Sequence, residues 1–238
     1  MNETIKPKRN TNPEGRCKLC GEILTKRKAA LHLKKCRAAH PLPNGKTATK
    51  LFTIEATAPG LPEFFLIFEL DGTKPLSMMD EFLRLAWFET YEHCSKFTIN
   101  GVHYNSHQLS DDNAGFLTFM GRTLPRSMSA KIGDVLGEGV KFEYQYDFGT
   151  TSYVRLRVIG IRSTLEKTPN GPDLIMQNIS PKFSCGECGQ PATIVGAGSW
   201  GLHPKNVFCE ACAEKKVDEE LRCPISNSPR SGIDGYGF

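Results

Sequence analysis

Two sets of cysteine and histidine residues have the types and spacing of metal ligands, one set near each end of the chain. The first follows the pattern Cys-x2-Cys-x11-His-x3-Cys and consists of Cys17, Cys20, His32 and Cys36. The second follows the pattern Cys-x2-Cys-x20-Cys-x2-Cys and consists of Cys185, Cys188, Cys209 and Cys212. Each set supplies four ligands, which complete a tetrahedral shell around zinc and leave no open position for a catalytic water. We therefore expect two zinc ions that have a structural role.

Disulfide and redox uses of the nine cysteines fit the rest of the chain less well. Residues 1–10 are polar and basic and lack the apolar core of a signal peptide. The most apolar run, Phe64–Phe68, is too short to span a membrane. A redox Cys-x2-Cys site also needs a helix start within a β-α-β unit, which is not predicted here. We expect a cytoplasmic protein with no membrane segment, in which Cys94 and Cys223 are free thiols.

The first metal set is predicted to be positioned by a turn and a helix within residues 15–40. Its first two cysteines belong to a turn or hairpin. The histidine and the last cysteine lie four residues apart in a helix-favouring stretch, so they share one helix face. The pattern resembles a Cys-Cys-His-Cys variant of the ββα zinc finger, with a middle spacing one residue shorter than usual. His40 is an alternative ligand, although the prolines beside it disfavour that role.

The amino-terminal part of the chain is strongly basic. Residues 1–50 contain 13 Lys and Arg against 3 Asp and Glu, whereas the remaining residues have a net charge of −6. This asymmetry indicates an anionic partner, with nucleic acid as the leading candidate and a solvated tail as the alternative. The candidate phosphate contacts on the predicted finger helix are Lys26, Arg27, Lys28, Lys34, Lys35 and Arg37. A lone finger reads only about 3 bp, so little sequence specificity is expected, and a protein-binding or structural finger is the other interpretation.

The second metal set matches the spacing of two Cys-x2-Cys knuckles joined by a loop or short hairpin. This module is predicted to span residues 183–216, with a glycine-rich insert between the knuckles. Proline, glycine and polar residues predict irregular structure elsewhere. Residues 1–14 are predicted to be a disordered basic tail, residues 166–182 a linker and residues 217–238 an irregular tail.

Between the two modules, residues 50–165 are predicted to form an α+β domain. Strands are predicted from alternating apolar residues over 52–56, 140–148 and 152–161, from a more completely buried run over 64–70, and from a hairpin at Asn100-Gly101. Residues 76–89 have the apolar periodicity of a helix, with Ser77 as its predicted N-cap and Asp80 as the capping-box acid. The fold class is therefore α+β: a mostly antiparallel sheet with a packed helix, flanked by two small zinc-binding modules.

The central domain also contains residues that can be drawn into catalytic sites. One set is His103, His107, Asp111 and Asp112, which would form the metal site of a nuclease, and the other is the pair His93 and Cys94. Spacing alone assembles no acid, base and oxyanion donor from them, and adjacent residues usually point in different directions. Arg155 and Arg157 are instead expected to pair with Glu143 and Asp147 across the last hairpin. The residues favour a binding protein over an enzyme.

One stretch of the central domain has a more specific pattern. It is the hairpin Phe142-Glu143-Tyr144-Gln145-Tyr146-Asp147-Phe148-Gly149, followed by Thr151-Ser152-Tyr153, and it is preceded by Leu83–Glu89 with His93, Ser95, Phe97 and Tyr104. These residues resemble the plasmid pRiA4b ORF-3-like family, and the resemblance covers residues 50–162. Family members often have Asp-Ser or Asp-Trp after that glycine, whereas this chain has Thr150–Tyr153. The resemblance implies a compact α+β domain, often found beside zinc modules and in mobile elements, and implies no catalytic residue.

These patterns predict a zinc-binding protein that binds nucleic acid or a nucleoprotein partner through its basic finger. A protein-interaction adaptor, whose zinc modules dock other proteins, is the alternative. A metal-dependent nuclease that uses histidine and aspartate residues of the central domain is a third hypothesis.

Overall fold

The computed structural model describes residues 12–89, 93–107, 120 and 123–237, which form one large sheet, two small sheets and four helices. The large sheet contains β1 (Glu14–Cys17), β2 (Ile23–Thr25), β3 (Asn44–Ala58), β4 (Leu61–Asp71), β5 (Ser95–Ile99), β6 (Val102–Asn105), β7 (Arg126–Ser127), β8 (Lys141–Tyr146), β9 (Ser152–Glu166) and β10 (Asp173–Asn178). The small sheets contain β11 (Phe183–Ser184), β12 (Pro191–Ala192), β13 (Ile194–Gly196), β14 (Val207–Phe208) and β15 (Arg222–Pro224). The helices are α1 (Lys26–Ala39), α2 (Leu76–Trp87), α3 (Ile132–Val135) and α4 (Glu210–Lys216).

The strand order of the large sheet is β2-β1-β10-β4-β3-β9-β8-β5-β6-β7. Its strand pairs are antiparallel except for β6 with β7, so the predicted α+β class with a mostly antiparallel sheet is confirmed. The predicted hairpin at Asn100-Gly101 joins β5 to β6. In the described part of the chain, no helix is long and apolar enough to cross a membrane.

The central strand β4 is buried on both faces, as the apolar run over residues 64–70 predicts. Alternate side chains of a strand point to opposite faces of a sheet. Phe64, Leu66 and Phe68 lie on one face and pack in a core that includes Leu83 and Trp87 of α2. Phe65 and Ile67 lie on the opposite face and pack against the amino-terminal module. The strand therefore belongs to two cores at once.

The amino-terminal module is attached to that second face by α1. Ala29 and Leu33 of α1 pack in the same cluster as Phe65 and Ile67 of β4. On β1, Gly15 permits this close approach, because a Cβ atom there would lie 2.6 Å from Cζ of Phe65. The finger is thus part of the main fold.

A buried charge cluster secures the end of α1. The Arg37 guanidinium lies 3.0 Å from Oε2 of Glu69 on β4 and 2.5 Å from Oδ2 of Asp173 on β10. Arg37 and Glu69 are both buried, and Arg162 makes a further contact with Glu69 at 3.4 Å. A buried charge is stable only when it is paired in this way. The Arg37 side chain is therefore used inside the protein and is not available at the surface.

The predicted cap of α2 is wrong. The helix begins at Leu76 with Pro75 as its N-cap, and no side chain caps it. Asp80 is buried and accepts hydrogen bonds from Ser95 and Tyr144, each at 2.6 Å, and from Arg84 at 2.9 Å. Burial and the nearby Asp80 carboxylate raise the pKa of Tyr144. The carboxylate therefore connects α2 to β5 and β8 instead of capping its own helix.

Two segments that were predicted to be irregular are ordered parts of the fold. The predicted linker at 166–182 contains β10, which inserts between β1 and β4 because Ile175 and Met176 are buried in the cluster beneath α1. The predicted tail at 217–238 contains β15 and the fully buried Arg230. Residues 1–11 of the predicted basic tail lie outside the described residues, and Glu14 begins β1.

We expect Arg37→Ala to lower the free energy of unfolding by about 3 kcal/mol, because the buried Glu69 would keep only its longer contact with Arg162 and Asp173 would lose its cationic partner. Lys34→Ala removes the same charge from the exposed face of α1 and should change stability by less than about 0.5 kcal/mol. Urea denaturation followed by circular dichroism measures both changes. A loss for Arg37→Ala as small as that for Lys34→Ala would contradict the buried role of Arg37.

Candidate metal centres

The first predicted ligand set is assembled in the structure. The ligand atoms of Cys17, Cys20, His32 and Cys36 all lie within 4.8 Å of one another. The two buried sulfurs, of Cys17 and Cys36, are 3.8 Å apart, and Sγ of Cys20 is 3.6 Å from Nε2 of His32. With metal–ligand bonds typical of zinc, the edges of a tetrahedral shell are about 3.8 Å between two sulfurs and about 3.6 Å between sulfur and nitrogen. The set is therefore positioned to hold one metal ion.

The second predicted set is assembled in the same way. The sulfurs of Cys185, Cys188, Cys209 and Cys212 also lie within 4.8 Å of one another, and those of Cys188 and Cys209 are 3.6 Å apart. These separations are far longer than a disulfide bond of about 2.05 Å. All nine cysteines lie in the described part of the chain, and none of them forms a disulfide. The predicted leftover Cys223 is buried on β15 outside both sets, and Cys94 is exposed.

Both sets begin with the same backbone turn, although the spacing of the whole sets differs. In the first, the N–H of Cys17 donates to the carbonyl of Glu22, and the N–H of Gly21 donates back to Cys17, each at 2.9 Å. In the second, Cys185 donates to Gln190 at 2.7 Å and Gly189 donates to Cys185 at 2.9 Å. The glycine after each Cys-x2-Cys has a positive φ, 80° and 76°, which favours glycine. The two knuckles are thus structural copies.

Helices supply the remaining ligands. His32 and Cys36 lie one turn apart on α1, as the four-residue spacing predicts. Cys209 is the N-cap residue of α4, and Cys212 lies in its first turn.

Groups outside the ligand set orient His32. Its Nε2 faces Cys20, while its Nδ1 lies 3.3 Å from Oε2 of Glu22. A carboxylate on this side of the ring favours the tautomer with its proton on Nδ1, which leaves Nε2 for a metal, as is common for histidine ligands. His40, the alternative ligand, instead has its Nδ1 2.9 Å from the carbonyl oxygen of Cys36, and it is not a member of the cluster.

Two thiols of the second set have perturbed pKa values. Burial raises the pKa of Cys185, but hydrogen bonds from the backbone N–H groups of Cys188, Cys209 and Glu187 outweigh it and lower the value to about 6. Hydrogen bonding to Cys209 and Cys188 raises the pKa of Cys212 to about 12. Protons are therefore held unequally by neighbouring sulfurs, and metal binding to such a set releases them.

The candidate phosphate contacts divide into two groups. Arg27, Lys28, Lys34 and Lys35 are exposed, whereas two others are used inside the molecule. Arg37 is buried against Glu69, as described above. Lys26 is only 19% exposed, and its Nζ donates to Thr57 and lies 3.5 Å from a carboxylate oxygen of Glu55. Lys26 and Arg37 therefore have partners on the sheet and are not part of the exposed basic surface of α1.

Of the residues of the central domain that can be drawn into a catalytic metal site, the described ones, His103 and His107, belong to neither cluster of ligand atoms found among the described residues. The rings of His103 and His107 contact their neighbours Thr98 and Ser106, at 3.0 and 3.1 Å. Asp111 and Asp112 lie outside the described residues. Among the described residues, the two cysteine-rich sets are the groups whose ligand atoms come together.

The sequence does not indicate that the buried Arg230 pairs with a carboxylate at the end of β8. Asp147 was predicted to pair with Arg155 or Arg157, but it accepts a hydrogen bond from Arg230 at 2.8 Å. Burial raises the pKa of Asp147, but the backbone N–H of Gly149 and the Arg230 guanidinium outweigh it and lower the value. The Tyr-Asp-Phe-Gly pattern was a signal for this turn, but its partner lies 83 residues later in sequence. No local spacing indicates that pair.

No protein-family model matches the chain, and no curated protein matches it. Among solved structures, the chain is similar to a crystal structure of a protein of unknown function from Methanosarcina mazei Go1, at 17% sequence identity and a TM-score of 0.42. That similarity covers 54% of this chain and 68% of the other.

We expect Glu22→Gln to weaken metal binding at the first set about tenfold, because it removes the carboxylate that orients His32. Competition with a chromophoric chelator measures this change, which should affect one of the two binding steps. Glu14→Gln removes an exposed carboxylate nearby on β1 and serves as the control. Equal losses in both variants, or no loss in Glu22→Gln, would contradict the assigned role of Glu22.

Proposed function

We propose that both sets bind zinc and that the protein binds nucleic acid, or a nucleoprotein, through the exposed basic face of α1. This basic face is defined by Arg27, Lys28, Lys34 and Lys35. The observation that carries the proposal is that these four cations are exposed together on a helix whose opposite side is fixed to the sheet. A nucleoprotein would be recognised through its nucleic acid.

Zinc is supported by the chemistry of the ligands. Three cysteines with one histidine, and four cysteines, are the usual ligands of structural zinc, and each set fills all four positions. Cysteine sulfur is a poor ligand for magnesium or calcium, which prefer oxygen. A closed shell has no open position for water, so both ions would stabilise structure and would not activate a substrate.

The arrangement of the basic face fits phosphate contact. At about 100° per residue, the four cations and Leu31 occupy an arc of about 120° on α1. His32 lies about 40° beyond one edge of this arc, and the buried Cys36 lies further round toward the sheet, so a metal ion there would hold the helix turn that presents the charges. Phosphate contacts made by such a face release counterions and depend little on base sequence.

The pRiA4b ORF-3-like resemblance is retained as part of this proposal. Its support is that the most specific stretch, Tyr146–Gly149, forms the end of β8 and the turn toward β9. Asp147 in that turn has a φ of 59° and accepts hydrogen bonds from the N–H of Gly149 and from Arg230. A motif built around such a turn constrains both the backbone and its buried partner.

A protein-interaction adaptor is the second candidate, because two apolar side chains are exposed on the metal-binding modules. Leu31 at the centre of the basic face is 67% exposed, and Trp200 in the second module is 63% exposed. Exposed tryptophan is enriched where proteins bind one another. The Trp200 surface therefore favours a protein partner for the second module.

Native mass spectrometry should find two zinc ions per chain. Cys36→Ser and Cys209→Ser should each reduce the count to one, because three remaining ligands do not close the shell. Only Cys36→Ser should also weaken nucleic-acid binding, since Cys36 belongs to the helix that carries the basic face. A different metal, or equal effects of both variants on binding, would contradict this assignment.

The nucleic-acid proposal is tested by salt titration. A variant with Arg27, Lys28, Lys34 and Lys35 all replaced by Gln keeps a good helix former at each position. We expect the slope of log K against log salt for a mixed-sequence duplex to become shallower by about 3.6, or 0.9 for each phosphate that is no longer neutralised. The matched control replaces the exposed Lys46, Lys167, Lys182 and Lys215 by Gln. An unchanged slope in the first variant, or an equal change in both, would refute the role of α1.

A further inference from the structure

One face of the large sheet is partly uncovered beside α1. On β9, Tyr153, Arg155 and Arg157 alternate with the buried Val154 and Leu156. Their cross-strand neighbours on β8 are Gln145, Glu143 and Lys141. On the next strand, β5, Lys96 lies opposite Gln145 and Thr98 lies opposite Glu143. We call this surface, formed by Tyr153, Arg155, Arg157, Lys141, Glu143 and Lys96, the open face. It borders a concave region of about 830 Å³.

The charge of the open face is mostly positive. Four of its residues are cationic and one, Glu143, is anionic. Glu143 lies directly opposite Arg155, yet among the described residues neither Arg155 nor Arg157 forms an ion pair. The sequence-based prediction that these two arginines pair with Glu143 and Asp147 is therefore wrong. Their charges are available to an external anion.

Two aromatic rings are exposed at the same surface. Tyr153 is 51% exposed and Phe148, in the turn that follows β8, is 49% exposed. The Phe148 ring lies near the open face because Nζ of Lys96 is 5.5 Å from its centroid. Large aromatic side chains left half in water next to cations are characteristic of surfaces that bind bases and phosphates together.

The open face is continuous with the amino-terminal end of α1. Lys26, the first residue of that helix, contacts Thr57 and Glu55 on β3. In the register of β3 with β9, Thr57 lies opposite Arg155 and Glu55 lies opposite Arg157. A ligand that crosses β9 therefore reaches the start of the helix that carries the basic face.

We propose that the open face binds single-stranded nucleic acid. Bases stack on Tyr153 and Phe148, and phosphates contact Arg155, Arg157 and Lys141. This inference rests on the proposed function and deepens it, because it names the form of nucleic acid and adds a second surface. Single strands are favoured because the bases of a duplex are stacked on each other and present no free face to a protein ring. A strand that crosses the sheet combines stacking with charge contacts and needs no particular base sequence.

Fluorescence anisotropy with two probes tests this proposal: a labelled oligouridine of about 12 nucleotides and a duplex of about 12 base pairs. Tyr153→Ala should weaken oligouridine binding about tenfold, because it removes one ring on which a base stacks, and should leave duplex binding unchanged. Tyr153→Phe keeps the ring and should bind as the natural protein does. If Tyr153→Ala binds oligouridine as tightly as Tyr153→Phe does, stacking on this face is refuted.

Charge is tested separately. Arg155→Ser combined with Arg157→Ser should weaken oligouridine binding and make its salt slope shallower by about 1.4. Lys46→Ser combined with Lys167→Ser removes two exposed cations elsewhere and is the matched control. A labelled polyglutamate peptide with the same net charge as the oligouridine tests the alternative partner, an acidic peptide. If polyglutamate binds as tightly as oligouridine and is unaffected by Tyr153→Ala, the face binds acidic peptide and the proposal is wrong.

The same measurements separate this inference from the proposed function. If only the α1 variant loses binding to oligouridine, the open face is refuted and the basic face of α1 remains as the binding site. Loss in the open-face variants alone would support the open face and refute the assignment to α1. Unchanged binding of both probes in both sets of variants would refute both proposals.

Discussion

Burial of β4 on both of its faces is the constraint on which the rest of the structure depends. A strand with apolar side chains on both faces must be covered on both, and here α2 covers one face and the amino-terminal module the other. The consequence for function is that the module is fixed in place. A ββα finger on a flexible linker can rotate its helix into a groove, whereas α1 presents only the face that points away from the sheet.

The metal ligands and the sheet contribute to the order of the amino-terminal module in different ways. The ligand set brings a knuckle on β1 next to the helix α1, and a metal ion held there would close a loop within the module. The apolar contacts of Phe65 and Ile67 and the pairing of Arg37 with Glu69 then attach that module to the sheet. The first knuckle of the carboxy-terminal set copies the same turn, but Cys209 and Cys212 come from a helix start instead of a helix middle. The two candidate centres therefore share the same first turn and differ in the part of the helix that supplies their last two ligands.

Local features were predictable from sequence, and long-range pairs were not. Cys17, Cys20, His32 and Cys36 were found because ligand type and spacing together restrict the possibilities. The double burial of β4 was predicted from a continuous apolar run, and the β5–β6 hairpin from Asn100-Gly101. In contrast, β10 lies in a segment rich in turn residues, and its strand character comes from burial between β1 and β4. Arg37 and Arg230 look like surface residues in the sequence, because only the folded chain brings Glu69 and Asp147 to them.

These contacts also change which cations can act on a partner. Lys26 and Arg37 are paired with groups on the sheet, while Arg155 and Arg157 are left without a carboxylate partner among the described residues. Part of the proposed binding surface therefore lies on the sheet beside the finger. The most direct measurement is photo-cross-linking of the zinc-loaded protein to a thiouridine-containing oligonucleotide, followed by peptide mapping. We predict cross-links to peptides containing Tyr153 and to the exposed side of α1, and cross-links confined to residues 183–216 would contradict both assignments.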